Sequence, residues 1–348
     1  VLATCIAAMV GKRTGISWRQ AQEGIITGIG VGLGPTLILL AVGMLIGTWI
    51  LSGTVPAMIY YGVQVLNPGI FYAASALICA IVAISIGSSW TVAGTLGIGL
   101  MGIAGSFELS PAITAGAIIS GAYFGDKLSP MSDTTNLAAA ATGADLFDHI
   151  RHMLWTTVPS FVIALTIFAL IGSSNAATPE EIALLQASLE QEFAIGIHLM
   201  LPLLLMLVLV YKRFPAYPSI VISAITGAVF ALIFQPNVVL RLAGDTGELN
   251  QAFVLLKGIW ISLFDGYVSA SGNEFLDALL SKGGMSSMLN TVWLIVCALG
   301  FGGVLERTGI LNYLLTLALR SVSSTGSLIT STVGTCISAN ILAADQFI

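Results

Sequence analysis

Long apolar runs recur along this chain and limit its fold more than any other feature. They include Ile25 to Ile50, Phe161 to Ile171, Ile195 to Val210 and Ser219 to Phe234. A helix that crosses a bilayer needs about 20 mostly apolar residues, and several of these runs approach that length. Lipid offers the backbone no hydrogen-bond partners, and the runs are continuous rather than alternating, which favours helices over barrel strands. We therefore predict an all-α fold, a polytopic transmembrane helical bundle.

Composition supports the membrane prediction. The 348 residues are 56% hydrophobic and 8% charged, with a mean hydropathy of +0.96. A soluble domain has about 25% charged residues, so a water-soluble fold is excluded. The cysteines lie in apolar stretches without paired spacing, which argues against a disulfide framework or a metal-cysteine site. We predict a transporter rather than an enzyme, with the lipid bilayer as a partner and no nucleic acid.

Charge placement predicts the orientation of the chain. Lys and Arg in short loops favour the cytoplasmic side of a membrane. Two polar connections carry such residues, namely Lys12, Arg13 and Arg19 in the first and Lys212 and Arg213 in the second. We place both inside the cell. The segment from Thr178 to Glu192 is acidic and has no Lys or Arg, so we place it outside.

The acidic segment also divides the chain. We predict a first transmembrane repeat in residues 1–174, an external loop in 175–193 and a second repeat in 194–348. Gly47 to Gly53 and Gly303 to Gly309 share one glycine spacing, as expected of an internally repeated transporter. Both chain ends are abrupt, and we interpret the sequence as a piece of a longer protein truncated at each end.

The densest polar cluster between apolar neighbours runs from Gly125 to Asn136. A carboxylate at membrane depth is costly without a cavity, a partner or a proton, and this cluster contains Asp126 and Asp133. Oxygen ligands suit a small hard cation. The neighbours that would complete such a site are Ser129, Ser132, Thr134, Thr135 and Asn136. A carboxylate can bind either a cation or a proton, so we predict that Asp126 and Asp133 hold a transported metal cation in alternation with H⁺.

Two further segments extend the candidate site. After Ile86 the apolar sequence is interrupted, which predicts a broken helix whose polar residues line the same cavity: Ser88, Ser89, Trp90 and Thr91. Near the end of the sequence, Asn340 and Asp345 follow an apolar segment rich in hydroxyls and are added to the ion-binding set. Lys127 is assigned to the cavity lining.

Each of these residues also has an ordinary structural explanation. Asp, Ser and Asn in a cluster are typical of a solvated loop of Asx and Ser/Thr turns. Hydroxyls inside membrane helices often bond backbone carbonyls or neighbouring helices. Lys127 either neutralises Asp126 or extends toward the lipid headgroups. The sequence leaves these alternatives open.

Several stretches resemble the NhaC-type sodium/proton antiporters. They are Gly47 to Pro56 with Tyr60 to Gly62, Gly87 to Thr91, Gly125 to Asn136, Asp145 to His152, Lys282 to Met288 and Asn340 to Gln346. The resemblance therefore covers nearly the whole chain. It implies inverted repeats with discontinuous helices, and exchange of internal sodium for external protons across the bacterial inner membrane. It also implies a site drawn from Asp126 to Asn136 and from Asp345.

The resemblance further implies the partners. Inorganic cations are transported rather than held as cofactors, with Na⁺ first and Li⁺ as a second candidate, and a homodimer is among the assemblies considered. Some relatives exchange organic anions such as malate and lactate, so a Na⁺- or H⁺-coupled organic-anion antiporter is the alternative. Such a site should place a cation against the substrate carboxylate, and within the polar clusters only Lys127 qualifies. An intramembrane aspartyl protease would need two acids on facing helices, whereas Asp126 and Asp133 share one segment.

Overall fold

The structure is a computed structural model of the 348-residue chain. It describes the backbone of residues 1–342 except 14, 131, 173–178, 213, 245–249, 311–312, 314–315 and 317–323. Side chains at 86, 133, 140–142, 179–182, 210, 274–275, 325, 336 and 338–342 also lie outside the description. Asp345 is therefore not described, and neither are the side chains of Asp133 and Asn340.

Helices account for the fold of the described residues, which contain no named strand. They are α1 (Leu2–Arg13), α2 (Trp18–Val31), α3 (Leu33–Leu51), α4 (Thr54–Val65), α5 (Phe71–Ile86), α6 (Ser89–Ser106), α7 (Pro111–Leu128), α8 (Asp133–Thr142), α9 (Leu146–Gly172), α10 (Pro179–Glu192), α11 (Leu201–Tyr211), α12 (Ala216–Phe234), α13 (Pro236–Ala243), α14 (Gln251–Phe264), α15 (Glu274–Leu280), α16 (Met285–Arg307) and α17 (Thr325–Leu342). Short 3₁₀ turns occupy Pro68–Ile70 and Ile197–Met200. The all-α prediction is confirmed.

Five helical segments of the described chain are long and apolar enough to cross a membrane. They are Leu33–Leu51, Pro68–Ser85, Leu146–Gly172, Ala216–Phe234 and Met285–Arg307. A sixth candidate is the pair Ala183–Glu192 and Ile197–Leu209, which is bent by 87° and forms either a broken span or a re-entrant segment. The polytopic membrane prediction is confirmed.

The chain forms two compact units. The first contains Val1–Leu39 together with Met288–Ile348, and the second contains Leu40–Ser287. The division into two sequential repeats stays a prediction. Within the segment expected to be an external loop, the described residues from Pro179 form helix α10.

One apolar run does not form the single span that its length suggested. The run from about Gly24 to Leu51 is divided, since α2 ends at Val31 and α3 begins at Leu33, with Gly32 between them. Pro35 explains the division, because proline has no N–H to continue the α2 hydrogen-bond ladder but is tolerated in the first turn of a new helix.

The two glycine pairs noticed in the sequence have matching conformations. Gly53 and Gly309 both follow a helix end and have positive φ angles of 80° and 72°. The hydroxyl residue before each glycine donates back to its own helix, Ser52 Oγ to Trp49 O at 3.2 Å and Thr308 Oγ1 to Leu305 O at 3.1 Å. The internal repeat and its inversion both stay predictions.

In the second unit, α5 and α6 form an antiparallel helical hairpin. The helices are joined by Gly87 and Ser88, and Gly87 has the positive φ of 73° that allows so tight a reversal. At the opposite end, the rings of Phe71 and Phe107 lie 5.7 Å apart between centroids. The predicted polar break after Ile86 is thus confirmed, but the chain turns back there instead of resuming in the same direction.

The polar stretch that begins at Val268 folds as a loop that contains the short helix α15 and ends where α16 begins, at Met285. Tyr267 and Lys282 form an isolated antiparallel bridge at its base. Inside the loop, the Asp277 carboxylate accepts hydrogen bonds from Ser269 Oγ at 2.7 Å and from the N–H and hydroxyl of Ser271 at 2.8 and 2.7 Å. These bonds lower the pKa of Asp277, the Ser269 hydroxyl contributing most.

Candidate functional site

Close packing of α7 against α5 fixes the position of Asp126. A Cβ atom added at Gly121 would lie 2.0 Å from Ala76 O, and one at Gly125 would lie 2.3 Å from Ala80 O. The backbones of α5 and α7 are therefore in contact. The two helices run parallel, because residue numbers increase in the same direction along both. Only glycine permits this approach, and Asp126 follows the second contact directly.

The tip of the α5–α6 hairpin meets Asp126. Ser89, the first residue of α6, donates its hydroxyl to Asp126 Oδ2 at 3.1 Å. Both side chains are buried, with 3% of Asp126 and 2% of Ser89 exposed. Because Ser89 begins α6, the carboxylate also lies near a helix N-terminus, whose unpaired N–H groups carry a partial positive charge of roughly half a unit. The arrangement stabilises a carboxylate without fully neutralising it.

Asp126 lies near the middle of α9, which runs from Leu146 to Gly172. The rings of Phe124 on α7 and Phe161 on α9 stack with centroids 4.0 Å apart. At a helical rise of about 1.5 Å per residue, Phe161 is about 12 Å from Met153 and about 16 Å from Gly172. Asp126 is about 3 Å further along α7 than Phe124. The carboxylate is therefore far from both ends of a helix long enough to cross the bilayer.

Helix α8 covers the carboxyl end of α7. Thr135 Oγ1 donates to Lys127 O at 3.1 Å and, at 3.4 Å, to Asp126 O. Asn136 Nδ2 donates to Pro130 O at 2.9 Å and to Ser132 O at 2.8 Å. Thr135 thus bonds carbonyls that the end of α7 would otherwise leave unpaired, and Asn136 bonds carbonyls of the turn that follows. In this state Thr135 and Asn136 support the turn between α7 and α8.

The Lys127 ammonium contacts the hydroxyls of the same turn. Its Nζ donates to Thr134 Oγ1 at 3.3 Å, and Thr134 Oγ1 lies 3.0 Å from Ser132 Oγ. Ser132 is fully buried, and its hydroxyl also accepts from the N–H of Thr135 at 3.4 Å. Lys127 and Asp126 are both described and form no ion pair with each other. Neutralisation of Asp126 by a direct ion pair with Lys127, one of the alternatives that the sequence left open, is therefore not seen.

The remaining hydroxyls of the hairpin tip shape the start of α6. Ser88 caps the helix, accepting from Thr91 N at 3.3 Å, and its Oγ lies 2.9 Å from Thr91 Oγ1. Thr95 Oγ1 donates to Thr91 O at 2.7 Å. Trp90 is half-buried beside them. Ser88 and Thr91 thus act as a cap that holds Ser89 at the first position of the helix.

Comparison with known proteins decides the family. The family model described as "Na+/H+ antiporter family" matches residues 121–348, which include the end of α7 and all of α8. The chain belongs to the Na⁺/H⁺ antiporter family. Family membership and the spanning helices together make it an integral membrane protein of the bacterial inner membrane.

Curated relatives agree with this assignment. The Na(+)/H(+) antiporter NhaC of Alkalihalophilus pseudofirmus is 38% identical over 100% of this chain and 72% of its own length. The malate-2H(+)/Na(+)-lactate antiporter of Bacillus subtilis is 36% identical over 99% of this chain and 70% of its own. The arginine/ornithine antiporter ArcD of Halobacterium salinarum is 34% identical over 96% of this chain and 66% of its own. No solved structure matches the chain significantly.

The structure brings many of the sequence-selected residues together at the junction of α6, α7 and α8. Those with a described contact there are Ser88, Ser89, Thr91, Asp126, Lys127, Ser132, Thr134, Thr135 and Asn136. The role of each in ion binding stays a prediction. The ligand assignments for Asp133, Asn340 and Asp345 fall on side chains or residues that are not described.

Sequence reasoning missed the residues that position the site. Gly121 and Gly125 let α7 approach α5, and Phe161 packs against Phe124 at the level of the carboxylate. A signal was present, because two glycines four positions apart mark a close helix crossing in a membrane. The crossing partner could not be identified from spacing alone.

Proposed function

We propose that this protein exchanges Na⁺ for H⁺ across the inner membrane, with the Asp126 carboxylate alternately holding the cation and the proton. The observation that carries the proposal is the burial of Asp126 beside a helix long enough to cross a membrane. Its side chain is 3% exposed, and its described side-chain partner is a neutral hydroxyl, that of Ser89. A carboxylate in that setting is poorly stabilised when it is charged and empty.

This instability is what couples the two ions. The partial charge at the start of α6 offsets only about half of a full negative charge. A proton or a cation on Asp126 completes the compensation, and each excludes the other from the same oxygens. Movement of the unloaded, charged site is disfavoured, so sodium leaving on one side is linked to a proton arriving on the other. Oxygen atoms from Ser89 and from the α7–α8 turn are suitable further ligands for Na⁺.

The proposal is tested by reconstituting the full-length protein in vesicles that contain a pH-sensitive dye and measuring the proton movement that sodium drives. We expect sodium to drive proton movement in the wild type, and Asp126→Asn to abolish it because the amide can neither take up a proton nor carry charge. Asp145→Asn is the matched control. Asp145 caps α9 at an exposed position, and asparagine caps helices as well as aspartate does. Equal sodium response in both variants would contradict the proposal.

Organic-anion exchange is the second candidate, favoured by a relative named as a malate-2H(+)/Na(+)-lactate antiporter. The relative named as an arginine/ornithine antiporter adds cationic amino acids to the substrates worth testing. The same vesicles should therefore be tested with lithium, potassium, malate, lactate, arginine and ornithine. A proton response to an organic substrate without any response to sodium would favour this second function.

A further inference from the structure

Lys127 lies beside the buried carboxylate in the chain, yet its ammonium contacts a different group. Its Nζ donates to Thr134 Oγ1 at 3.3 Å and makes no ion pair with Asp126. The side chain is half-buried. The positive charge of Lys127 is thus held against a hydroxyl oxygen of the turn between α7 and α8.

The oxygen that Lys127 contacts belongs to a short chain of hydroxyls. Thr134 Oγ1 lies 3.0 Å from Ser132 Oγ, and Ser132 is fully buried. Thr135, the next residue in sequence, donates its hydroxyl hydrogen bond to the backbone carbonyls of Asp126 and Lys127. The ammonium, these hydroxyls and the carboxylate-bearing end of α7 therefore belong to one hydrogen-bonded cluster.

We propose that Lys127 is a tethered competitor that sets the sodium affinity of the site. This inference rests on the proposed function above. Oxygen atoms that suit a sodium ion also accept hydrogen bonds from an ammonium group, so the Lys127 ammonium on Thr134 Oγ1 competes with sodium for that oxygen. Sodium binding must displace the ammonium from this oxygen. The positive charge of Lys127 then repels the bound sodium ion and weakens its binding. In a partly buried site, like charges a few ångströms apart weaken binding by about tenfold or more.

A purely structural role for Lys127 makes different predictions. In that case the hydrogen bond to Thr134 holds the turn, and the charge itself does not matter. Three substitutions separate the two roles. Lys127→Arg keeps the charge and the donor, Lys127→Gln keeps a donor without the charge, and Lys127→Met keeps only an apolar side chain of similar length.

The experiment measures binding of radiolabelled sodium to the purified full-length protein in detergent at one fixed pH. We expect Lys127→Gln and Lys127→Met to bind sodium about tenfold more tightly than the wild type, and Lys127→Arg to stay within about twofold of it. Methylammonium, which resembles the end of the lysine side chain, should compete with sodium more strongly in Lys127→Met than in the wild type.

Sodium affinity in Lys127→Gln that equals or falls below the wild-type value would overturn the inference. The Gln and Arg variants decide the matter even where Lys127→Met fails to fold. Failure of the underlying function looks different, because the wild type would then show neither sodium binding nor sodium-driven proton movement. A wild type that binds sodium through Asp126, with Lys127 variants unchanged, would overturn this inference alone.

Discussion

The backbone contact between α5 and α7 provides the sharpest test of how the site is built. Gly125→Ala adds one methyl group where a Cβ atom would lie 2.3 Å from Ala80 O, 2.6 Å from Ala83 Cβ and 2.7 Å from Ile84 N. Ordinary van der Waals contact begins at 3.4 Å. Two of these three neighbours are backbone atoms, so α7 must move away from α5 by about 1 Å.

That displacement has a calculable effect on stability. Overpacking of this kind costs about 1–3 kcal/mol, and alanine recovers about 1 kcal/mol through its better helix propensity. We therefore expect Gly125→Ala to lose up to about 2 kcal/mol. A shift of α7 by about 1 Å also disturbs the 3.1 Å bond between Ser89 and Asp126, so the rate of sodium-driven proton movement should fall even in protein that stays folded.

Gly116→Ala is the matched control, because Gly116 lies on the same helix with nothing within 4 Å of its added Cβ. This variant should be neutral or stabilised by up to about 1 kcal/mol. Both proteins would be compared by thermal unfolding in detergent and by sodium-driven proton movement in vesicles. If Gly125→Ala melted and transported like Gly116→Ala, the idea that this contact positions Asp126 would be refuted.

Three other predictions concern parts of the fold outside the site. Glu108 has a positive φ of 52°, so Glu108→Gly should raise thermal stability by about 1 kcal/mol, and a lower melting temperature would contradict this. Gln235 exchanges two hydrogen bonds with the Ala194 peptide, at 3.1 and 3.2 Å, beside the bend between α10 and α11. Gln235→Ala should cost about 2 kcal/mol and speed proteolysis there, whereas an unchanged cleavage rate would exclude a clamping role. Because the pKa of Asp277 is lowered in the folded state, its stabilising effect should be present above its ordinary pKa of 3.8 and be lost as pH falls through the folded value. The melting difference between wild type and Asp277→Asn should therefore shrink below about pH 4, and a constant difference would refute the linkage.

Much of the candidate site could be selected from the sequence because polar residues are rare and costly in apolar surroundings. The Gly125–Asn136 cluster and the Gly87–Thr91 break were both identified in this way, and the structure joins them through Ser89 and Asp126. Composition does not reveal which side-chain oxygens bind a cation and which form hydrogen bonds with the backbone. Thr135 and Asn136 were selected as cation ligands, but their side chains bond backbone carbonyls, Thr135 at the end of α7 and Asn136 in the turn between α7 and α8.

The sequence by itself determined that the chain is helical and lies in a membrane, because lipid requires backbone hydrogen bonds to be satisfied within each segment. It also located the polar interruptions. Only the tertiary structure decided that the break at Gly87 is a hairpin tip and that α5 and α7 meet at Gly121 and Gly125. It likewise decided that Asp126 lies near the middle of α9. These relations depend on contacts between residues distant in sequence, and local apolar spacing carries no information about which helix packs against which.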